Sequence, residues 1–282
     1  MNIQQALKQA ALLLDTSSSD SSDNDSRLDA QTLLKHVLQC NSAHIIAWPE
    51  KVLEEEQQER FLQLIKQRAQ GIPVAHLTGS REFWSLEFDI DDSTLIPRPE
   101  TETLVEFILA SFGDRKNLHL LDLGTGTGAI AIAIAKEKPR WEIAGCDISA
   151  AAIKLARRNS EKHGIRNIEF VESNWFDRLL NRRFDIIVSN PPYIADQDPH
   201  LHLGDVRFEP RSALVSGKTG MADIEHLCQH AKQHLKDAGW LVIEHGYDQQ
   251  KQVYDCFEAN AFIEIETRRD LSGHIRMTAG RI

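Results

Sequence analysis

From residue 118 onward the chain alternates between apolar runs and helical patterns, and this alternation constrains the fold more than any other feature. Seven short segments read as strands, at residues 118–123, 142–147, 168–172, 184–189, 240–244, 262–266 and 275–278. Strands that alternate with helices form mostly parallel sheets with helices on both faces. We therefore predict an α/β fold with a doubly wound, mostly parallel, seven-stranded sheet that ends in an antiparallel pair.

The first 75 residues have a different pattern. Apolar residues recur at helical spacing in three stretches, which predicts a small N-terminal helical bundle, and the Ser/Asp/Asn tract at residues 16–26 predicts a solvated loop. Residues 81–90 then alternate with period two, as extended chain does. We predict a helical domain at 1–75, a linker with a β-hairpin at 76–95, and an α/β domain at 96–282.

Composition narrows the classes of protein that remain. Hydrophobic residues make up 41% of the 282 residues, an ordinary globular share. The net charge of −10 argues against a protein that binds mainly through nucleic-acid phosphates, because such surfaces are usually basic. The four cysteines form no CxxC pair, so neither a disulfide framework nor a thiolate metal site is expected. No apolar run approaches membrane-spanning length, and we expect a cytoplasmic protein.

A glycine-rich turn follows the first strand of the α/β domain. Gly124, Thr125, Gly126, Thr127 and Gly128 join residues 118–123 to an Ala/Ile-rich helix. Glycines let the backbone approach a ligand closely, and a helix N-terminus offers free N–H groups. Asp147 ends the next strand, where a carboxylate can accept hydrogen bonds from both hydroxyls of a ribose. The pattern predicts a nucleoside cofactor, but because Gly124, Gly126 and Ala129 also fit the dinucleotide pattern GxGxxA, it leaves the cofactor's identity open.

Asn190, Pro191, Pro192 and Tyr193 follow directly on the predicted strand 184–189. Ligands of doubly wound sheets gather outside the carboxyl ends of the strands, near the switch point. The Asn190 side-chain oxygen and the Pro191 carbonyl are two acceptors that can hold and polarise an NH2 group, and the prolines stiffen the turn. Tyr193 can stack on a planar amide and shield the positive charge that grows on nitrogen. We predict transfer of a group to a planar amide-type nitrogen.

This tetrapeptide resembles the [Asn/Asp/Ser]-Pro-Pro-[Tyr/Phe/Trp] signature of methyltransferases that act on planar amino groups. Over nearly its whole length the chain is similar to the release factor glutamine methyltransferase (HemK/PrmC) family of S-adenosylmethionine-dependent, Rossmann-like methyltransferases. The matching segments are residues 26–30, 73–79, 81–84, 96–102, 121–128, 189–194 and 204–210. The last two lie in one stretch, which makes the combination specific.

The resemblance implies a substrate, the glutamine of the Gly-Gly-Gln loop of peptide chain release factors, methylated at its side-chain nitrogen N5. By the same resemblance, residues 124–128, Asp147, Trp175 and Asn190 contact S-adenosylmethionine, while residues 190–193 hold the glutamine. No metal, nucleic acid or membrane is expected at the site, and a monomer is expected. Where the family commonly has Asp before a Trp-Phe pair, this chain has Asn174, which removes a charge from the group expected to accept from adenine.

Two other functions compete with this reading. A nucleic-acid adenine N6 methyltransferase would share the nitrogen chemistry, although the acidic balance of the chain weighs against it. A nicotinamide-dependent reductase would explain the glycine turn but would leave residues 190–193 without a role. His226, His230 and His234 recur at helical spacing, and since no HExxH pattern accompanies them we expect a solvated helix face.

Overall fold

The computed structural model describes residues 1–17 and 23–282, and the chain divides into two compact units. The first unit comprises residues 1–80 together with 202–208, and the second comprises 81–201 and 209–282. The first unit is helical, as the family resemblance implies. Its helices are α1 (Ile3–Ser17), α2 (Asp23–Leu38), α3 (Ser42–Ala47), α4 (Glu55–Ala69) and α5 (Val74–Thr78).

A small apolar core holds the helical unit together. Ile3, Leu33, Leu34, Phe61 and Ile65 are fully buried in one cluster drawn from α1, α2 and α4. Buried residues recur every three to four positions in each helix, as Ile3, Ala6, Ala10 and Leu14 do in α1, so one stripe of each helix faces the core. The tertiary packing of these stripes supplies most of the stability of helices this short.

Arg68 joins three parts of the helical unit. Its Nε donates to Asp29 of α2 over 2.7 Å, and its Nη1 donates to Asp205 of the 202–208 segment, also over 2.7 Å. The guanidinium is planar and presents several donors in a fixed fork, so one side chain satisfies two carboxylates. Arg207 adds a second link between the segment and α4, through the carbonyl of Gln70 at 3.0 Å.

The second unit contains two sheets. A hairpin is formed by β1 (Ser80–Phe83) and β2 (Leu86–Asp89), and a seven-stranded sheet has the order β5-β4-β3-β6-β7-β9-β8. The strands of the large sheet are β3 (His119–Leu123), β4 (Glu142–Asp147), β5 (Ile168–Glu172), β6 (Phe184–Ser189), β7 (Leu235–Glu244), β8 (Ile263–Arg269) and β9 (Ile275–Arg281). Its helices are α6 (Glu102–Phe112), α7 (Ala129–Glu137), α8 (Ala150–Lys162), α9 (Ala222–His234) and α10 (Gln250–Ala259).

The order of the strands reverses between β3 and β6. Both strands are parallel and central, and Leu123, the last residue of β3, is in register with Ser189, the last residue of β6. The buried Ser189 hydroxyl also donates to the Leu123 carbonyl over 2.7 Å. A switch point between two such strands opens a crevice at their carboxyl ends, so the turns that follow Leu123 and Ser189 leave the sheet side by side.

The predicted fold class is confirmed: the sheet is doubly wound with seven strands, of which only the pairs β7–β9 and β8–β9 are antiparallel. The predicted bounds of β4, β5 and β6 are those observed. The predicted domain bounds at 75 and 95 stay a prediction. In the described part of the chain, no helix is long and apolar enough to cross a membrane.

Two local predictions were wrong. The loop expected at 16–26 is wrong at both of its ends, because α1 extends to Ser17 and α2 begins at Asp23; the part of that prediction at residues 18–22 lies outside the described residues. Aspartate and asparagine are favourable in a helix's first turn, so a polar tract also suits a helix start. The strand β7 begins at Leu235, before the predicted 240, because the polar residues Lys236 and Asp237 and the glycine at 239 interrupt its apolar pattern.

We predict that Arg68→Met loosens the 202–208 segment. Removing a charged hydrogen-bonding side chain costs about 1.5–3 kcal/mol, so local opening should become roughly tenfold or more frequent. Trypsin cleavage after Arg207, followed by mass spectrometry, should accelerate accordingly. Arg60→Met is the matched control on α4, because Arg60 is exposed and its Nη2 lies 3.4 Å from the Nε2 of His36; equal acceleration by both variants would contradict the tether.

Candidate active site

The glycine turn after β3 is held in shape by backbone hydrogen bonds and by positive backbone angles. Gly124, Gly126 and Gly128 have φ values of 71°, 53° and 82°, which favour glycine. The Thr125 N–H donates to the carbonyl of Cys146 at 2.9 Å, which ties the turn to the end of β4. A Cβ at Gly128 would lie 2.9 Å from Ile132 Cδ1 and 3.2 Å from Ala156 Cβ, so glycine also permits close packing of helix α7.

Asp122 supports this turn from beneath. Its Oδ2 accepts hydrogen bonds from the Thr125 hydroxyl at 2.6 Å and from the Ala131 N–H at 3.3 Å, while Oδ1 is buried without a partner. Burial raises the pKa of the Asp122 carboxyl to about 7, although these two hydrogen bonds oppose the shift. The side chain therefore braces the loop from inside the protein.

Asp147 ends β4 at the other side of the turn. Its Oδ2 accepts from the Gly126 N–H at 3.0 Å and its Oδ1 from the Ser149 N–H at 2.9 Å. Burial raises the pKa of this carboxyl, and the backbone donors work in the opposite direction. Each carboxylate oxygen has a further lone pair, so Asp147 can hold the loop and still accept a hydrogen bond from a ligand hydroxyl.

The turn at residues 190–193 is fixed from behind. The Gln249 side-chain amide donates to the Tyr193 carbonyl at 2.9 Å, and its Oε1 accepts from the Gly246 N–H at 2.8 Å. Gly220, with φ of 75°, lets its segment of the chain come close to Tyr193, since a Cβ at Gly220 would lie 2.3 Å from the Tyr193 carbonyl oxygen. These contacts leave the turn little freedom to move.

Both turns border one cavity of about 360 Å³. Its lining includes Gly124, Thr125, Gly126, Thr127, Asp147, Trp175, Asn190 and Pro192 from the predicted site residues. The Thr94 hydroxyl, also at this wall, is buried without a hydrogen-bond partner. A Cβ at Gly124 would lie 3.7 Å from the Trp175 ring, so the glycine leaves the space beside the indole open. The cavity therefore combines backbone donors, a carboxylate and an aromatic face.

Three predicted site residues do not line this cavity. Gly128 packs against helices, Pro191 is buried, and the Tyr193 ring is half-buried against the core of the unit. Burial also raises the pKa of the Tyr193 phenol, which keeps it neutral. Asn174 lines the cavity as an exposed residue whose Nδ2 donates to Asp177 at 3.2 Å. The Asp177 carboxylate thus lies next to Asn174, the position at which the family commonly has Asp.

The sequence analysis missed two buried groups that organise the cavity wall. The Glu209 side chain is fully buried; its Oε1 accepts from the Ile96 N–H at 2.9 Å, and its Oε2 accepts from Arg98 at 2.5 Å. Thr101 accepts a hydrogen bond from the Asn190 Nδ2 at 3.0 Å. Both lie in segments noted only for their family resemblance, and their roles depend on contacts across about 90 to 110 residues, which no local pattern reveals.

The histidines of α9 were expected on a solvated helix face, but they are not wholly solvated. His234 is buried, with its ring stacked on Phe176 at 4.5 Å between centroids, and the rings of His226 and His230 stack at 4.3 Å. In residues 1–17 and 23–282, no group of histidines, cysteines and carboxylates could hold a metal ion. Two of the three rings therefore lie against other aromatic side chains: that of His234 on Phe176, and that of His226 with its centroid 6.4 Å from that of Trp175.

Comparison with known proteins gives consistent matches. The model of the methyltransferase small domain matches residues 100–209, and that of the PrmC N-terminal domain matches residues 5–79. Release factor glutamine methyltransferases of Aliivibrio fischeri and Vibrio cholerae are 43% and 46% identical over all of this chain and over 98% and 97% of their own lengths. That of Salmonella typhimurium is 48% identical over 92% of this chain and 94% of its own.

Solved structures share the fold. A methyltransferase from Pyrococcus furiosus superimposes with a TM-score of 0.53 at 16% identity, covering 81% of this chain and 98% of its own. The hMettl16 catalytic domain, solved with an RNA hairpin, gives 0.57 at 16% identity, covering 77% and 81%. At such low identity the likeness concerns the fold alone.

We predict that Asp122→Asn changes how stability depends on pH. Because the folded-state pKa is raised from 3.8 to about 7, the wild-type protein loses stability as pH rises between these values, by at most about 4 kcal/mol at 1.36 kcal/mol per unit. The variant lacks this loss. Thermal unfolding at pH 5 and pH 8 should show the variant's Tm gaining on the wild type as pH rises; parallel Tm values would contradict a buried, titrating Asp122.

Proposed function

We propose that this chain, which belongs to the family of release factor glutamine methyltransferases, methylates the N5 side-chain nitrogen of the glutamine in the Gly-Gly-Gln motif of peptide chain release factors. The family membership makes it an S-adenosylmethionine-dependent methyltransferase. The observation that carries the proposal is the shared cavity: the glycine turn after β3 and the Asn190 turn after β6 border the same space. A methyl donor held by the first turn would therefore meet an amide held by the second.

The residues around the cavity fit the cofactor. The glycine turn lets its backbone come close to the cofactor, the carboxylate of Asp147 suits the hydroxyls of an adenosyl ribose, and the Trp175 ring offers an apolar face. The Thr94 hydroxyl is a further polar group without a partner. The cofactor supplies an electrophilic methyl group on a sulfonium. Residues 124–127, Asp147, Trp175 and Asn190 would hold it.

The Asn190 turn provides the acceptors for the substrate amide. A carboxamide nitrogen is a poor nucleophile because its lone pair is delocalised, the resonance that gives peptide bonds a rotation barrier of roughly 18–20 kcal/mol. Two acceptors that grip both N–H groups favour the charge that develops as the nitrogen attacks. Asn190 Nδ2 is engaged by Thr101, which leaves its Oδ1 for the substrate, and the Pro191 carbonyl is the second acceptor.

Positioning replaces general-base catalysis in this scheme. An amide nitrogen that has gained a methyl group becomes a strong acid. Once the methyl group has been transferred, the nitrogen therefore loses a proton to solvent or to an adjacent acceptor. The turn is stiffened by two prolines and held from behind by Gln249, so little reorganisation accompanies the reaction. The rate would depend mainly on how accurately the amide is aimed.

The helical unit is our candidate for docking the protein substrate. It exposes large apolar side chains, including those of Ile46 (77% exposed), Trp48 (61%) and Val52 (68%), which a protein partner would cover. A substrate that takes part in translation would place the enzyme in the cytoplasm. We expect it to act as a monomer.

We predict that the enzyme transfers label from tritiated S-adenosylmethionine to a purified release factor. Replacing the glutamine of the Gly-Gly-Gln motif by alanine should abolish the incorporation, because it removes the accepting nitrogen. Duplex DNA and RNA are offered in parallel. Label in nucleic acid but not in the release factor would contradict the proposal and favour an adenine N6 methyltransferase.

We also predict that Asn190→Ala lowers kcat by at least about 100-fold, the scale of losing one preorganised hydrogen-bonding group. The affinity for S-adenosylhomocysteine, measured by calorimetry, should change much less, because the glycine turn and Asp147 are unaltered. Asn174→Ala, at an exposed residue of the same cavity wall, is the contrasting variant and should affect affinity more than kcat. A near-normal kcat for Asn190→Ala would contradict the role assigned to it.

A further inference from the structure

We infer that Thr101 and Glu244 are positioning residues that hold the Asn190 amide with its Oδ1 directed at the substrate. The inference rests on the proposed function, since it gives Asn190 the role of substrate acceptor. An asparagine amide is nearly symmetric in shape, and a rotation of 180° would present its NH2 instead. Two donors would then face each other, and the substrate would be repelled. Some group must therefore select one orientation.

Thr101 is the direct partner of Asn190. It lies at the N-terminal end of α6, with 5% of its surface exposed, and its Oγ1 accepts from the Asn190 Nδ2 at 3.0 Å. The bond is partly buried, which strengthens it relative to a bond in water. The Nδ2 is thereby fixed on the side of α6, and the Oδ1 lies on the opposite side of the same planar group.

Glu244 lies behind this pair. It is the last residue of β7, which runs parallel to β6, and the register pairs Ile243 with Ser189, so Glu244 and Asn190 follow paired residues. The side chain is 2% exposed. Its carboxyl group interacts with the side chains of Thr101 and Asn190, while its Oε2 is buried and has no hydrogen-bond partner among the described residues. Burying a carboxylate costs free energy unless the group is paired or hydrogen-bonded.

The role of Glu244 follows from the chemistry of the Thr101 hydroxyl group. A threonine hydroxyl carries one proton and two lone pairs, so it can either donate to or accept from Asn190. If its proton is directed to the Glu244 carboxylate, only lone pairs remain for Asn190, and only the Nδ2 orientation fits. Without Glu244, the hydroxyl can rotate and donate to Oδ1, which stabilises the flipped amide. Glu244 thus sets the direction of the whole chain of hydrogen bonds.

The charge of Glu244 matters to this chain. Burial raises the pKa of its carboxyl to about 7. Glu100 raises it further, whereas Thr101, Arg276 and Asn190 lower it. The Tyr193 phenol also faces the group, and Asp270 pairs with Arg276 at 3.2 Å. A protonated Glu244 would donate to the Thr101 hydroxyl and free the hydroxyl proton for Asn190, so the ionised form is the one that supports catalysis.

The kinetic test is a double-mutant cycle. Thr101→Val should lower kcat about tenfold, with KM for the release factor and cofactor affinity within about threefold. In the Asn190→Ala background, the same change should lower kcat no further, because there is no amide left to orient. If the two losses multiply, Thr101 acts independently of Asn190 and the inference is wrong. Thr101→Ser, which keeps the hydroxyl, should retain most of the activity.

A matched control separates orientation from general packing. Thr278, on β9, is also buried, and its hydroxyl lies 2.9 Å from the His245 Nε2. Thr278→Val should lower Tm but leave kcat within about threefold. A tenfold loss of kcat in this variant would show that any buried threonine hydroxyl has such an effect, which would overturn the specific role of Thr101.

The pH profile tests Glu244 itself. In the wild type, kcat should rise up to about tenfold between pH 6 and pH 8 as Glu244 ionises. Glu244→Gln, which keeps the size of the side chain and an acceptor oxygen, should make kcat nearly independent of pH over this range. Glu244→Leu, without an acceptor, should lose activity at every pH. A wild-type profile that is flat, or a rise that persists in Glu244→Gln, would overturn the role of the carboxylate.

A spectroscopic readout does not depend on the substrate. The side-chain NH2 signals of Asn190 in ¹⁵N spectra, assigned by their loss in Asn190→Ala, should exchange slowly with water in the wild type. Thr101→Val and Glu244→Leu should each speed this exchange at least about tenfold. If the wild type fails to methylate release factors but shows these exchange rates, the proposed function is wrong while the positioning stands. Rapid exchange in the folded wild type would contradict the positioning alone.

Discussion

The parallel pairing of β3 with β6 is the interaction on which the site depends. These strands are the two between which the chain reverses its direction across the sheet, and their last residues, Leu123 and Ser189, are in register. The hydrogen bond from the Ser189 hydroxyl to the Leu123 carbonyl closes the pair at the edge where the site begins. The cofactor turn and the amide-binding turn consequently begin side by side.

Around this edge, buried polar groups make each turn rigid. Asp122 braces the glycine turn, Glu209 anchors the 96–98 segment, and Gln249 holds the turn at 193. Two of the three are carboxylates, whose burial carries an electrostatic cost that a purely structural apolar side chain would avoid. The same arrangement recurs at Glu244. The molecule thus places its least favourable buried groups next to the cavity, as preorganised active sites commonly do.

The sequence predicted the sheet well because its central strands are buried on both faces and read as continuous apolar runs. It predicted less where polar residues interrupt a strand, as Lys236 and Asp237 do in β7, or begin a helix, as at Asp23. The turns at 124–128 and 190–193 were found from their glycines and prolines, whose backbone restrictions are local. The partners Thr101 and Glu209 were not, since their contacts join residues about 90 to 110 positions apart, and only the fold brings such groups together.

The central claim is that one cavity aligns a methyl donor with an amide nitrogen. A crystal structure of the enzyme with S-adenosylhomocysteine and a glutamine-containing release factor fragment measures this directly. We expect the sulfur atom between the glycine turn and Asn190, and the Asn190 Oδ1 accepting from the glutamine N5. A methyl carbon built onto the sulfur should lie on the line to N5 and about 3–3.5 Å from it, the separation of reacting atoms that are held close to attack. A sulfur bound elsewhere, or a glutamine that does not reach residues 190–193, would contradict the account.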